Sequence, residues 1–256
     1  MTPRQPHIWE DSGAARATNG WSLDDTLHIL QSGAMTACEL IPWGSNYTFA
    51  VRLECDGVST LAVYKPMRGE APLWDFPRGT LYLREYAAYV VSALIGWDFI
   101  PPVVLRDGLH GIGSVQLFVE HEATDFFHFR ADYCRELQRM CAFDIVANNA
   151  DRKAGHCLKG SEGRLWGIDH GLTFNAQPKL RTVIWDYGGD PIPQELVDDL
   201  MDFRTDPARL RELYLKLGDC LGKDELAVFL KRIEAVVQDP VFPSPYSRRA
   251  VPWPLY

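Results

Sequence analysis

Between residues 47 and 65 the sequence spells out a β-hairpin, and the rest of the fold has to be built around it. Residues 47–55 alternate, with Phe49, Val51, Leu53 and Cys55 on one face. Asp56-Gly57 supplies a two-residue turn, and residues 58–65 return as the second strand. Side chains on a strand repeat every two residues, so Leu61, Val63 and Lys65 share a face. A lysine therefore ends an otherwise apolar face, which a plain core strand does not need.

Around this hairpin the pattern predicts further strands at 36–41, 101–106 and 114–120. Ser22 with Asp25 opens a helix at 23–32 that Gly33 stops, and Thr80 opens a second from Leu81 to Ile95 that Gly96 stops. From about residue 131 the period changes. Helices are predicted at 132–148, 194–203, 207–217 and 223–237, with short strands at 156–159 and 164–169. Strands first and helices afterwards predict an α+β fold of two lobes with a cleft between them. The stretch from Pro240 to Tyr256 holds five prolines and is expected to pack as irregular chain.

Apolar residues make up 46% and charged residues 23% of the 256, enough to bury a core. A formal net charge of −8 argues against a surface built to grip nucleic acid or anionic lipid. No run of about 18 apolar residues is present to span a membrane. Residues 1–20 carry no apolar leader, and the six cysteines at 38, 55, 134, 141, 157 and 220 form no C-x-x-C pair. Reduced thiols in a cytoplasmic protein are the expectation. Trp74 and Phe76 are expected in the core rather than at a membrane or partner edge.

Phosphoryl transfer from ATP asks for a cation on the phosphates, carboxylates that hold magnesium, and a carboxylate that orients the attacking group. Three stretches offer these parts in order. Gly44-Ser45-Asn46, followed by Lys65, pairs a small-residue turn that lets backbone N–H groups approach phosphate with a neutralising ammonium. Alone, such a turn is usually just an ordinary hairpin, and the lysine reads equally as an edge residue facing water. Asn148-Asn149-Ala150-Asp151-Arg152, at the end of an apolar helix, presents a carboxylate in a polar loop that also reads as a simple helix terminus. Gly167-Ile168-Asp169-His170-Gly171 puts Asp169 at a strand end beside glycine, a place for a metal ligand or for an ordinary turn.

Taken together these stretches resemble the phosphatidylinositol 3-/4-kinase-like family, its type II phosphatidylinositol 4-kinases most of all. Gly44-Ser45 with Tyr47 is similar to the family's phosphate-side turn, and Leu61-Ala62-Val63-Tyr64-Lys65-Pro66 to its lysine strand. The segment Gly113-Ser114-Val115-Gln116-Leu117-Phe118-Val119-Glu120 is similar to its hinge. Phe143-Asp144-Ile145 through Asn149-Ala150-Asp151-Arg152 resembles its catalytic loop, and Gly167-Ile168-Asp169-His170-Gly171-Leu172 its metal-binding D-x-G. Pro191-Ile192-Pro193-Gln194-Glu195-Leu196 resembles the helix start after its activation segment.

The resemblance implies one bilobal kinase-like domain over 1–256, with an N-lobe at 1–120, a hinge near 117–122 and a C-lobe at 123–256. It implies ATP as cofactor, contacted by Gly44, Ser45, Asn46, Val63, Lys65, Gln116, Phe118 and Val119. Glu85 would pair with Lys65, with Glu70 as the competing choice. Asp151 would orient or deprotonate the acceptor hydroxyl, Asp169 would bridge magnesium to the phosphates, and Arg152 would brace the loop. The family's second metal ligand, an Asn, is replaced by His156, so Asn149 or a water compensates, one metal binds weakly, or manganese is preferred. In place of the lipidated, cysteine-rich insertion of eukaryotic lipid kinases stands Ala71-Pro72-Leu73-Trp74-Asp75-Phe76-Pro77. The acceptor is thus left open among a protein, a small metabolite and a phosphoinositide, with peripheral membrane contact disfavoured. Lys179 and Arg181 could meet an anionic acceptor or line a solvated loop. A nucleotide-binding pseudokinase or a kinase-fold AMP transferase are the competing functions.

Overall fold

The computed structural model describes residues 21–42 and 46–255. They pack as two compact units: the chain up to Tyr86 with Pro101–Val119, and Ala87–Ile100 with the chain from Glu120 onward.

The first unit is a five-stranded antiparallel sheet in the order β1-β2-β3-β5-β4, comprising β1 (Ala34–Ile41), β2 (Thr48–Cys55), β3 (Val58–Pro66), β4 (Val103–Gly108) and β5 (Gly111–Leu117). The Asp56-Gly57 turn appears where alternation demands it, with Asp56 at φ 51° and Gly57 at φ 78°. Helix α1 (Leu23–Ser32) starts on a capping box: Ser22 Oγ accepts from Asp25 N at 3.1 Å and Asp25 Oδ2 accepts from Ser22 N at 3.2 Å. It lays Ile29 and Leu30 on one sheet face, against Val51, Leu53, Ala62, Tyr64, Val104 and Val115. Each such aliphatic burial contributes about 1.5–3 kcal/mol. Gly33 lets the helix end approach the sheet, since a Cβ there would stand 2.6 Å from the Ile29 carbonyl oxygen and 3.2 Å from Leu53 Cβ. The opposite face is lined by Ala50, Leu61 and Val63 with Ile41 and Phe118.

Four strands shift by two or more residues from their predicted bounds: β1 starts at Ala34 rather than 36, the strand predicted at 164–169 ends at Gly167, and β4 and β5 move as well. β4 starts at Val103 rather than 101 because Pro101 and Pro102 have no N–H to give a ladder; Pro102 only accepts, from Leu117 N at 2.9 Å. β5 starts at Gly111, the partner of Gly108 across a tight turn, and ends at Leu117 rather than 120. Phe118 N still donates to Leu61 O at 3.1 Å before the chain leaves the sheet. Helix α2 (Leu81–Ile95) has its predicted bounds. Phe76 is buried, with the Arg84 guanidinium 5.0 Å from its ring centroid, but Trp74 is 91% exposed and not in the core.

The second unit is mainly helical. Its elements are α3 (Phe126–Phe129), α4 (Cys134–Ala147), a two-stranded ribbon of β6 (Cys157–Lys159) and β7 (Leu165–Gly167), then α5 (Gln194–Thr205), α6 (Pro207–Leu217) and α7 (Lys223–Gln238). Pro207 stands at the first position of α6 and Asp206 caps it, accepting from Ala208 N at 2.8 Å, so two helices form rather than one. α3, capped by Asp125, is too short to show a period in sequence. Phe143, Phe174, Phe203 and Phe229 are fully buried, with Phe174 and Phe229 edge-to-face at 5.4 Å.

The chain after Pro240 is irregular but bonded. Ala250 O accepts from Thr182 N and Trp185 Nε1, both at 3.1 Å, and Leu255 O accepts from Ala154 N at 2.8 Å. All six cysteines are free thiols. Among the described residues no helix is long and apolar enough to cross a membrane.

Candidate active site

On β3, alternation turns Val63 and Lys65 to the face opposite α1. Antiparallel pairing sets Gln116 across from Val63 and Ser114 across from Lys65. Lys65 Nζ donates to Glu85 Oε1 of α2, in a pair whose carboxylate side chain is 5% exposed and whose ammonium side chain is 22% exposed. Glu70, the other candidate partner, is used differently: its Oε1 accepts from Tyr82 N at 2.8 Å and caps α2. Burial raises the Glu70 carboxyl above its usual range, and the helix N–H groups oppose that rise. Gln116 is buried, and its Nε2 has no hydrogen-bond partner among the described residues. Phe118 and Val119 follow, half-buried. Asn46 Oδ1 accepts from Ala71 N at 2.7 Å, which ties the end of its turn to the chain after β3. Gly44 and Ser45 lie outside the described residues.

In the second unit the loop after α4 is organised by one buried charge pair. Asp144 and Arg152 are both fully buried. Asp144 accepts from Arg152 Nε at 3.0 Å and Nη2 at 2.9 Å, from Asn149 Nδ2 at 2.9 Å and from Thr182 Oγ1 at 3.3 Å. Burial alone would lower the Arg152 pKa, but the Asp144 charge and hydrogen bonds outweigh it and the net shift is upward. Arg152 Nη1 also donates to Ile168 O at 3.1 Å, and Nη2 lies 2.6 Å from His170 Nε2. A guanidinium only donates, so His170 Nε2 accepts and that ring carries its proton on Nδ1. One side chain thereby joins the Asp151 loop to the Ile168-Asp169-His170 turn.

Asn149, expected among the metal ligands, turns inward instead. Its Nδ2 serves Asp144, its Oδ1 accepts from Asp151 N at 3.0 Å, and its exposure is 0%. The next residue but one, Asp151, is presented outward. Burial pushes its carboxyl up to about 6; the Asp169 charge adds to the rise, while Lys153 and Arg181 oppose it. Lys153 Nζ lies 3.6 Å from Asp151 Oδ2.

Asp169 follows β7 in a left-handed conformation, φ 60°, which Asp tolerates better than most residues. Gly167 permits the turn, since a Cβ there would stand 2.8 Å from the Phe99 ring. His156 Nε2 lies 3.2 Å from Asp169 Oδ2, and Lys153 N donates to His156 Nδ1 at 3.3 Å. With Nδ1 accepting, the ring proton is on Nε2, directed at Asp169. His156 thus donates to Asp169 where an Asn would offer an oxygen. The Asp169 side chain is 49% exposed and offers a hard oxygen donor of the kind magnesium or manganese takes.

The structure therefore joins Lys65 with Glu85, and Asp151, Asn149 and Arg152 with the turn carrying Asp169 and His156. Asp144, His170 and Thr182 were not singled out for roles from sequence. Asp144 alone left a signal there, a carboxylate inside the apolar run Cys141-Ala142-Phe143-Asp144-Ile145-Val146-Ala147 that burial would force to find a cation.

These features define a protein-kinase-like α+β fold, and solved structures share it. The chain superposes on hydra Fam20, solved with sugar, at a TM-score of 0.59 and 16% identity, over 92% of this chain and 93% of that one. It matches the Golgi casein kinase with Mn/ADP bound at 0.57 and 15%, over 91% and 81%. Residues 110–241 match the family described as phosphatidylinositol 3- and 4-kinase. Protein Rv2133c of Mycobacterium tuberculosis is 35% identical over 91% of this chain and 96% of its own length. Phosphatidylinositol 4-kinase gamma 4 of Oryza sativa is 29% identical over 52% of this chain, a match covering 30% of the rice protein. The chain belongs to the phosphatidylinositol 3- and 4-kinase family and is a kinase.

Proposed function

We propose that the chain moves the γ-phosphate of ATP to a hydroxyl acceptor, with Asp151 taking or orienting the hydroxyl proton. The observation that carries this reading is the Arg152 side chain, which bonds Asp144 beneath the Asp151 loop and Ile168 O beside Asp169. Catalytic positioning needs two such loops held in one frame. Lys65, held by its ion pair with Glu85, would neutralise the α/β-phosphates. Val63, Gln116, Phe118 and the Val119 backbone would receive the base, and the unpartnered Gln116 Nε2 offers it a donor. Gly44, Ser45 and Asn46 would cover the phosphates.

The solved relative that carries manganese and ADP supports a nucleotide and a divalent cation here. A cation on Asp169 would offset charge on the transferring group. His156 beside it supplies no oxygen, and a ring that gave up its Nε2 proton to turn a nitrogen lone pair on the ion would favour manganese over magnesium. Lys153 and Arg181, whose charges reach Asp151, favour an acceptor that is itself anionic.

Labelled ATP is incubated with the chain and a lysate, which is then split into lipid, protein and small-molecule fractions, with magnesium and manganese in parallel. Label is expected in one fraction with the native chain and in none with Asp169→Ala. His156→Asn should shift the metal preference toward magnesium. Label transfer by Asp169→Ala equal to native would refute the assignment. Product mass distinguishes phosphate from AMP, the product expected of a kinase-fold AMP transferase.

A further inference from the structure

The turn between β2 and β3 gathers three donors of different chemistry, apart from the residues assigned to phosphoryl transfer. His28 extends from the exposed side of α1, and its Nε2 lies 3.9 Å from Cys55 Sγ. Cys55 Sγ in turn lies 3.5 Å from Asp56 Oδ2. All three donor atoms lie within 4.8 Å of one another. A tetrahedral zinc ion, with Zn–S about 2.3 Å and Zn–N or Zn–O about 2.0–2.2 Å, spaces its ligand atoms roughly 3.3–3.7 Å apart. The sulfur–oxygen separation already falls in that range, and the sulfur–nitrogen separation exceeds it only slightly.

The chain brings these donors together by two independent routes. The hairpin register, Cys55 opposite Val58, puts Cys55 at the end of β2, and the left-handed Asp56 follows at once. α1 arrives from the other side, packed on the sheet through Ile29 and Leu30, with His28 one position away. Asp25, one turn earlier on α1, lies near enough for its charge to interact with His28. Thiolate, imidazole and carboxylate together suit a borderline-soft cation, whereas magnesium prefers oxygen alone. His28 and Asp56 are exposed and Cys55 half-buried, so an ion can enter and a water can fill the fourth position.

We infer that His28, Cys55 and Asp56 form a zinc-binding site that fastens α1 to the β2–β3 turn. The ion bonds to sulfur, nitrogen and oxygen, and the Cys55 thiol proton leaves to solvent. Lys65 stands at the far end of β3, roughly 20 Å away along the strand, so this site is distinct from the one that handles nucleotide.

The full chain, stripped with a chelator and then freed of it, is titrated with zinc chloride against a chromogenic zinc indicator. The native chain and Asp169→Ala are both expected to take up a tight equivalent. Cys55→Ser and His28→Gln should each weaken that binding more than about ten-fold. Cobalt loaded in place of zinc should show a near-ultraviolet thiolate-to-cobalt band that Cys55→Ser abolishes. Unchanged affinity in either variant, or no zinc uptake by the native chain, overturns the inference.

Discussion

At Asp151, folding strips water from a carboxylate and gives back Lys153 at 3.6 Å and the more distant charge of Arg181. The folded carboxyl sits near 6 against an ordinary 3.8, so the native state binds this proton more tightly than the unfolded chain does. The cost of holding it ionised is full above about pH 6, shrinks as pH falls toward 3.8, and vanishes below that. Asp151→Asn is therefore expected to stabilise the chain at pH 7.5 by about 1–2 kcal/mol, after allowance for the side chain's partial exposure. The same change should lower kcat by about 10²–10⁴. Denaturant midpoints at pH 7.5 and pH 4 test the first part, since a gain equal at both values contradicts the burial argument. Lys65, Asp151 and Asp169 could be picked out in the sequence as candidates because their residue types stand where phosphate chemistry wants them. Asp144, His170 and Thr182 were not, because only the folded chain decides which carboxylate meets a buried guanidinium. The His156–Asp169 contact was equally hidden, although the position of His156 was noted.

Among the elements, those specified by neighbours in sequence were the most readable. The capping box of α1, the Asp56-Gly57 hairpin and the start of α6 at Pro207 depend on a few adjacent residues, and all appear at the expected places. β4 and β5 moved because ladder bonds, not propensity, decide where a strand begins, and prolines cannot supply them. α4 illustrates a dependence that periodicity does not express. Its Asp144 is fully buried and serves the loop that follows rather than the helix itself. Asp144→Ala would strand the Arg152 guanidinium without its counter-charge, and a loss of about 3–5 kcal/mol is expected. A denaturation midpoint within about 1 kcal/mol of native would mean that solvent reaches Arg152 and that the pair does not frame the loop. A double variant replacing both residues with apolar ones should recover part of the loss while still failing in catalysis.

For the molecule as a whole, six short motifs in order carried the family resemblance. None would have done so alone; their order along the chain carries the resemblance. The acceptor stayed illegible for a physical reason: phosphoryl transfer is mostly positioning and electrostatics, and the groups that supply them do not encode what receives the phosphate. Nucleotide linkage is a test at this scale. ATP with a divalent cation, at about a hundred times its Kd, should stabilise the chain by roughly 2.7 kcal/mol. A thermal shift that stays flat with both magnesium and manganese counts against the proposed nucleotide. The family match ends at residue 241, yet Ala250 O and Leu255 O accept from the backbone N–H groups of Thr182 and Ala154, close in sequence to the residues proposed for phosphoryl transfer. A version trimmed to that boundary would keep every side chain assigned to phosphoryl transfer and lose the buckle that fastens them. Its silence in an assay would report a missing strap, not a missing chemistry.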